Sequence, residues 1–180
     1  MTILVIADDE FLLNKLPEAN VNLVIACGDL PNDIILQAAG RVNCKQIFAV
    51  KGNHDDESPF PSPITNLHLS IQQAGDLTFG GFGGSWKYKP KGNNLYEQGE
   101  VDRFLMKFPK VDVFVTHNSP RMTHDRDDGV HLGFSAFVTY IERARPRLLL
   151  HGHQHINKES TLLVTRVIGT YGHRFLTIES

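Results

Sequence analysis

Five stretches of this chain are apolar almost without interruption: residues 2–7, 22–26, 46–50, 111–116 and 147–151. Runs of this length, rich in Val, Ile and Leu, are the pattern of strands buried on both faces, as in a parallel sheet covered by helices. Between them lie segments with helical spacing. Residues 31–39 begin with Pro31 and stop at Gly40, the order expected of a helix. Residues 97–108 place Val101, Phe104, Leu105 and Phe108 on one face and are ended by Pro109. Residues 133–144 place Phe134, Phe137, Val138 and Ile141 on one face, with Pro146 just beyond. Strand and helix alternate, so the pattern predicts an α/β layered fold. Segments 66–70 and 77–82 read as short strands about a turn at 74–76, and 161–167 with 174–178 as a terminal hairpin around 169–172. These pieces are expected to build a second sheet packed on the first. Segment 80–94, rich in Gly and Lys, reads as a mobile loop, and the polar, charged segment 122–132 as another.

A chain of 180 residues has the size of one domain, here taken to span 1–180, with 41% apolar residues. Its net charge of −2 gives no general reason to bind nucleic acid or an anionic membrane. Cys27 sits inside an apolar run and reads as a buried thiol; with Cys44 it makes no disulfide framework. The opening residues are apolar but few, lack a basic front and lead into Asp8, Asp9 and Glu10, and no run approaches a membrane span. A soluble, cytoplasmic protein without a membrane partner is expected. The nine histidines change the picture more than the charge does, because that count fits metal chemistry.

Each apolar run closes on a polar group. Asp8 follows the first, Gly28-Asp29 the second, Gly52-Asn53-His54 the third, His117 the fourth and His151-Gly152-His153-Gln154-His155 the fifth. In an open α/β sheet, ligands gather beyond the carboxyl ends of the strands, so these groups are expected on one rim. The set holds no thiolate, which argues against a structural zinc knot. Carboxylates, imidazoles and a carboxamide suit manganese first, with iron, zinc, nickel or magnesium as alternatives. So many donors exceed the needs of one ion and suffice for two sharing a carboxylate. Two ions about 3.5–4 Å apart form a clamp for in-line displacement at phosphorus, with a metal-bound hydroxide as nucleophile. Gly28, Gly52 and Gly152 allow the tight turns that would aim the ligands inward.

In this order the motifs resemble those of the calcineurin-like metallophosphoesterases, and the resemblance spans nearly the whole chain, most closely to small single-domain phosphodiesterase-type members. It implies a two-sheet β-sandwich flanked by helices. It implies one ion held by Asp8, Glu10, Asp29 and His155, and a second held by Asp29, Asn53, His117 and His153, with Asp29 bridging. It also implies that His54 contacts the phosphoryl group and helps the leaving oxygen depart, so that Asp29, Asn53 and His54 are the catalytic residues. One position departs from the family: Glu10 stands where its members have histidine. Glu10 can bind a harder ion, or turn away and leave the first site weak, or yield to Asp9 in a shifted register.

The activity so implied is hydrolysis of a phosphate ester, a diester rather than a monoester, on a small phosphorylated substrate such as a nucleotide. No broad basic, aromatic surface is legible, so long nucleic acid is not expected; the oligomeric state stays open. The alternative is a catalytically weak protein-interaction or metal-binding module on the same fold. Glu10 supports it, while His54, His153 and His155 stand against it. Arg121 and His124, with Arg126 and His131 in the same loop, either grip a substrate phosphate or belong to a loop salt-bridged by Asp125, Asp127 and Asp128. Lys87, Lys89 and Lys91 with Trp86 and Tyr88 either flank a nucleotide or form a solvated loop. Asp55 either orients His54 or caps a turn. His151 reads as a strand end that supports the ligands from behind, and His68 and His173 as structural or surface residues.

Overall fold

The computed structural model describes residues 1–179. Its strands are β1 (Thr2–Ala7), β2 (Leu23–Ala26), β3 (Ile47–Ala49), β4 (Ile64–Asn66), β5 (Ile71–Ala74), β6 (Leu77–Phe82), β7 (Ser85–Trp86), β8 (Leu95–Tyr96), β9 (Val113–Thr116), β10 (Leu148–His151), β11 (Lys158–Leu162), β12 (Thr165–Gly169) and β13 (Gly172–Thr177). The helices are α1 (Asn32–Arg41), α2 (Gln98–Leu105) and α3 (Ser135–Ala144). One sheet runs β13-β1-β2-β3-β4 and the other β11-β12-β10-β9-β6-β5, with β7 and β8 a separate pair. The five apolar runs all become strands, but they are divided: β1, β2 and β3 lie in the first sheet, β9 and β10 in the second.

The continuous apolar runs follow from burial on both faces. Ile3, Val5 and Ala7 of β1 join Ile25, Val113, Val115 and Leu150 in the core between the sheets. Leu4 and Ile6, the alternate residues, pack with Ile35 and Ala38 of α1 on the outer face. On the other side Phe114 and Leu149 meet Val101 and Leu105 of α2 and Phe137 and Tyr140 of α3. A period of two therefore sorts each strand between two cores, and neither face needs polar residues. The α/β sandwich flanked by helices is thus the observed architecture.

The details correct several expectations. Helix α1 continues through Gly40 to Arg41 instead of stopping there, and the Val42 N–H closes it on the Ala38 carbonyl. Helix α2 starts after Glu97, whose side chain and that of Glu100 form a reciprocal capping box. Residues 67–70 are a crossover between the sheets, not a strand: β4 ends at Asn66 in the first sheet and β5 begins at Ile71 in the second. The terminal hairpin is displaced. Strands β11 and β12 pair around Leu163 and Val164, while β13 leaves for the first sheet and runs antiparallel to β1. Segment 80–94 is fastened by β6, by the β7–β8 pair and by a 2.7 Å hydrogen bond from the Gly84 N–H to the Lys51 carbonyl. Among the described residues no helix is long and apolar enough to cross a membrane.

Candidate metal centre

The carboxyl ends of β1, β2, β3, β9 and β10 meet across the two sheets. Four predicted ligands stand there in the left-handed backbone region: Asp8 (φ 62°), Asp29 (φ 53°), His153 (φ 61°) and His155 (φ 50°). Such a conformation costs about 1–3 kcal/mol per non-glycine residue, and it turns each side chain sharply off its strand. The rigid core beneath imposes it.

Glycines let the loops close on one another. A Cβ on Gly28 would lie 2.6 Å from Gly52 N and from His117 Nδ1; one on Gly152 would lie 2.8 Å from Asp8 Oδ2. Asp55 locks the first two loops together. Its Oδ2 accepts the Asp29 N–H at 2.9 Å and the Gly52 N–H at 2.7 Å. It therefore clamps backbone and does not orient the His54 ring through any hydrogen bond among the described residues.

His117 is fully buried, and its Nδ1 lies 2.8 Å from the Cys27 carbonyl. A carbonyl only accepts, so Nδ1 carries the proton and a neutral ring turns the Nε2 lone pair forward. Facing Nε2 are Asn53 Oδ1 at 3.0 Å and Asp29 Oδ2 at 3.3 Å. Three acceptors thus converge with no proton among them. Without a cation the ring takes one: burial pulls the His117 pKa down, but the charge and hydrogen bond of Asp29, with the Asp8 charge and the Cys27 carbonyl, together outweigh it and lift it to about 9. Burial likewise pushes Asp29 up, and the His117 charge and hydrogen bond, with the His54 N–H, reverse this and hold its carboxyl below the usual range. A ligand atom each from Asp29, His117 and His153 lie within 4.8 Å of one another.

Asp8 gives a second sign. Its Oδ2 accepts the His153 N–H at 2.9 Å, while its Oδ1 is buried and has no partner among the described residues. Burial pushes its pKa up to about 7, opposed by His117 and assisted by Asp29. An unpaired buried carboxylate oxygen is costly, and a cation beside it removes that cost. The donor set therefore fits divalent ions.

The first-ion residues are more loosely gathered. Asp8, Glu10, Asp29, His54 and His155 line one open cleft of about 320 Å³, together with Phe11 and Tyr171. Glu10 is exposed at its mouth, outside the tight cluster of Asp29, His117 and His153. Asp9 lines the same cleft, with its Oδ1 accepting the Phe11 N–H at 3.0 Å in the turn after β1, so the shifted register stays open beside Glu10. His54 is exposed, and its backbone N–H donates to Asp29 Oδ1 at 2.8 Å.

Arg121 and His124 are not brought to this cleft. Arg121 pairs with Asp125 at 2.6 Å. His124 spends both ring nitrogens, Nδ1 on His151 Nε2 at 2.9 Å and Nε2 on Ser160 Oγ at 2.8 Å. His151, fully buried, completes the chain from Nδ1 to the Gly152 carbonyl at 2.9 Å, and so supports the ligand loop from behind. Two residues that the sequence left between a ligand-facing and a solvated role stand at the site. Tyr88 accepts a hydrogen bond from Asn53 Nδ2 at 3.3 Å, which aims Asn53 Oδ1 at His117. His131, tied to Asp128 at 2.7 Å, sets its ring 5.1 Å from that of His153. The composition of the Gly-Lys and charged loops did not decide between the two roles.

The buried histidines set an acid limit. Burial lowers His151 to about 3 and His153 well below its usual value, so both stay neutral in the fold. As pH falls below about 6.5 the unfolded chain takes up these protons and the fold does not, so stability is lost. Asp8, with its raised pKa, takes a proton in the fold first and offsets one of the two. Each net proton corresponds to about 1.4 kcal/mol per pH unit; His124, lowered by burial to about 4, and His68 and His155, also lowered by burial, add to the loss, while Asp55, raised by burial, offsets part of it. Chemical denaturation of the metal-free protein is expected to show stability falling steadily from pH 6.5 to 4.5, and a flat profile would contradict the burial argument.

The family model for calcineurin-like phosphoesterases matches residues 5–157. No curated protein matches the chain. Among solved structures it is similar to TT1561 of Thermus thermophilus, at 14% identity and TM-score 0.62, covering 94% of this chain and 88% of that one. It is also similar to Vps29 from Entamoeba histolytica complexed with Zn²⁺, at 14% identity and TM-score 0.53, covering 95% of this chain and 74% of that one. At such identities these two likenesses concern the fold. The family match covers most of the chain and every ligand-bearing strand end described above, and so the chain belongs to the calcineurin-like phosphoesterase family.

Proposed function

We propose that the protein is a metal-dependent phosphodiesterase acting on a small phosphorylated substrate. The observation that carries this reading is the convergence of Asp29 Oδ2, Asn53 Oδ1 and His117 Nε2, with a ring nitrogen of His153 in the same cluster. Asp29, Asn53, His117 and His153 would hold one divalent ion, manganese in the first instance, and Asp8, Asp29 and His155, with Glu10 from the cleft mouth, a second. Bound ions of this kind supply Lewis acidity at phosphorus and acidify a water.

The chain's own residues do the rest. Asp29 lies between the two groups of donors, and its Oδ1 fixes the His54 backbone. His54, free at the cleft mouth, is placed to donate to a phosphoryl or leaving oxygen. Tyr88 and the Cys27 carbonyl fix the rotamer of Asn53 and the tautomer of His117, so the donors need no rearrangement.

Purified protein with added manganese is expected to hydrolyse bis-(p-nitrophenyl) phosphate faster than p-nitrophenyl phosphate. Failure on both esters across manganese, zinc, nickel and magnesium defeats the proposal. The exposed position of Glu10 favours a second reading, a module that binds one ion tightly and is catalytically weak. Elemental analysis separates them: two ions per chain support the first reading, one ion with negligible turnover the second. Glu10→His restores the imidazole common in the family and is expected to raise occupancy of the outer site and shift metal preference from manganese toward zinc. An unchanged preference means that residue 10 does not touch an ion.

A further inference from the structure

A cavity of about 520 Å³ opens beside the metal centre. Lys51 lines both this cavity and a second hollow bounded by Glu10, Asp29, His54 and Asp55, and that hollow adjoins the metal-centre cleft through Glu10, Asp29 and His54. The volume suits a small organic molecule. None of its other lining side chains has a part in the chemistry above.

Two of them are built to face a ligand. His68 Nδ1 accepts the Gly83 N–H at 3.0 Å. A backbone N–H only donates, so the proton of the neutral ring is on Nε2. Burial lowers the His68 pKa, which keeps the ring neutral near pH 7. Its faces are covered by Phe82, with centroids 4.8 Å apart, and by Tyr96, stacked at 5.9 Å. The Nε2–H edge remains, without a partner among the described residues and still reached by solvent. Tyr96 is held in the same way: Phe82 and Phe104 meet its ring edge to face, and its hydroxyl has no partner among the described residues. Two fixed polar edges thus stand at one opening.

The charges nearby select the kind of ligand. Glu57 lines the cavity, and Lys51 is already paired with Asp56 at 3.1 Å. A second anion would meet Glu57, and among the described residues no cation other than Lys51 lines the cavity. An uncharged group with ring acceptors for His68 and Tyr96, and donors for Glu57, meets every requirement; Pro59 and Leu95 offer it apolar wall. An alkyl chain would leave the His68 N–H dry and unpaired. We propose that this cavity binds a nucleoside, the organic group of the phosphate ester, through the edges of His68 and Tyr96. The inference rests on the phosphoesterase reading for its place in the reaction, but the binding can be measured without catalysis.

Calorimetry of the manganese-loaded protein with thymidine is expected to show binding. Tyr96→Phe, which keeps the ring packing, and His68→Gln, which keeps an acceptor for Gly83, should each weaken it about five-fold, the worth of one net hydrogen bond. In turnover, the p-nitrophenyl ester of thymidine 5′-monophosphate should be preferred over methyl p-nitrophenyl phosphate, with the ratio of kcat/KM falling in both variants through KM. No thymidine binding, or binding unchanged in both variants, overturns the cavity's role. Thymidine binding weakened by both variants, in a protein that cleaves neither ester, upholds the nucleoside site and overturns the phosphoesterase reading instead.

Discussion

Asp29→Asn is expected to leave hydrolysis on the order of 1,000-fold slower and to strip the protein of its bound metal, while the fold survives. Asparagine has the same shape and can still accept the His54 N–H through Oδ1, the 2.8 Å bond seen for Asp29. It cannot present a second carboxylate oxygen to the centre. Where Oδ2 now lies 3.3 Å from His117 Nε2, an amide would stand, either donating toward the ring or turned away from it. The His117 ring also loses the charge that lifts it to about 9, and burial then takes over and drives it down. NMR titration of the metal-free variant should therefore find the His117 pKa well below that of the parent. Activity, elemental analysis and this titration read three consequences of one charge. A variant with parental rate and metal content would remove Asp29 from the bridging role.

The second large effect is expected at a residue with no side chain. In Gly52→Ala the new Cβ would lie 2.0 Å from Asp29 Oδ1 and 2.7 Å from Asp29 N. Neither group can retreat freely, because Asp55 holds the Asp29 N–H and the Gly52 N–H on one oxygen and the His54 N–H holds Oδ1. Overpacking of a rigid site costs about 1–3 kcal/mol, occasionally more. The expected outcome is a lowered Tm and loss of the stabilisation that added manganese gives the parent. Retention of the manganese shift would mean that the loop yields more easily than its clamp suggests.

Much of this was legible in the sequence because burial writes a simple code. Runs such as Leu4-Val5-Ile6 and Leu148-Leu149-Leu150 are apolar on both faces, and both faces are in fact covered. The polar residue that closes each run then marks the rim. What the code does not contain is which sheet a strand joins. β1 and β9 read alike, yet they lie in different layers, since the choice is made by pairing partners distant in the chain. The β11–β12 turn was hidden for a local reason: Leu163 and Val164 are apolar, exposed at 59% and 60%, and Leu163 takes a left-handed φ of 57° that usually signals Gly or Asn. Tyr88, His131 and His68 were opaque for a different reason. Tyr88 and His131 sit in segments whose composition fits solvent as well and are held by the Asn53 and Asp128 side chains, while His68, in a segment read as a strand, is aimed by the Gly83 N–H that the tertiary fold places there.

The division of donors between the two layers has a mechanical consequence. Asp29 and Asn53 hang from one sheet, His117 and His153 from the other, and an ion gripped by all four would be a rivet through both. Its chelate strength then becomes a gauge of how the layers are aligned. A void cut between the sheets, at Val115 or Ile25, would let them slip and would be read at the rim as a weaker chelate, although neither side chain is a donor.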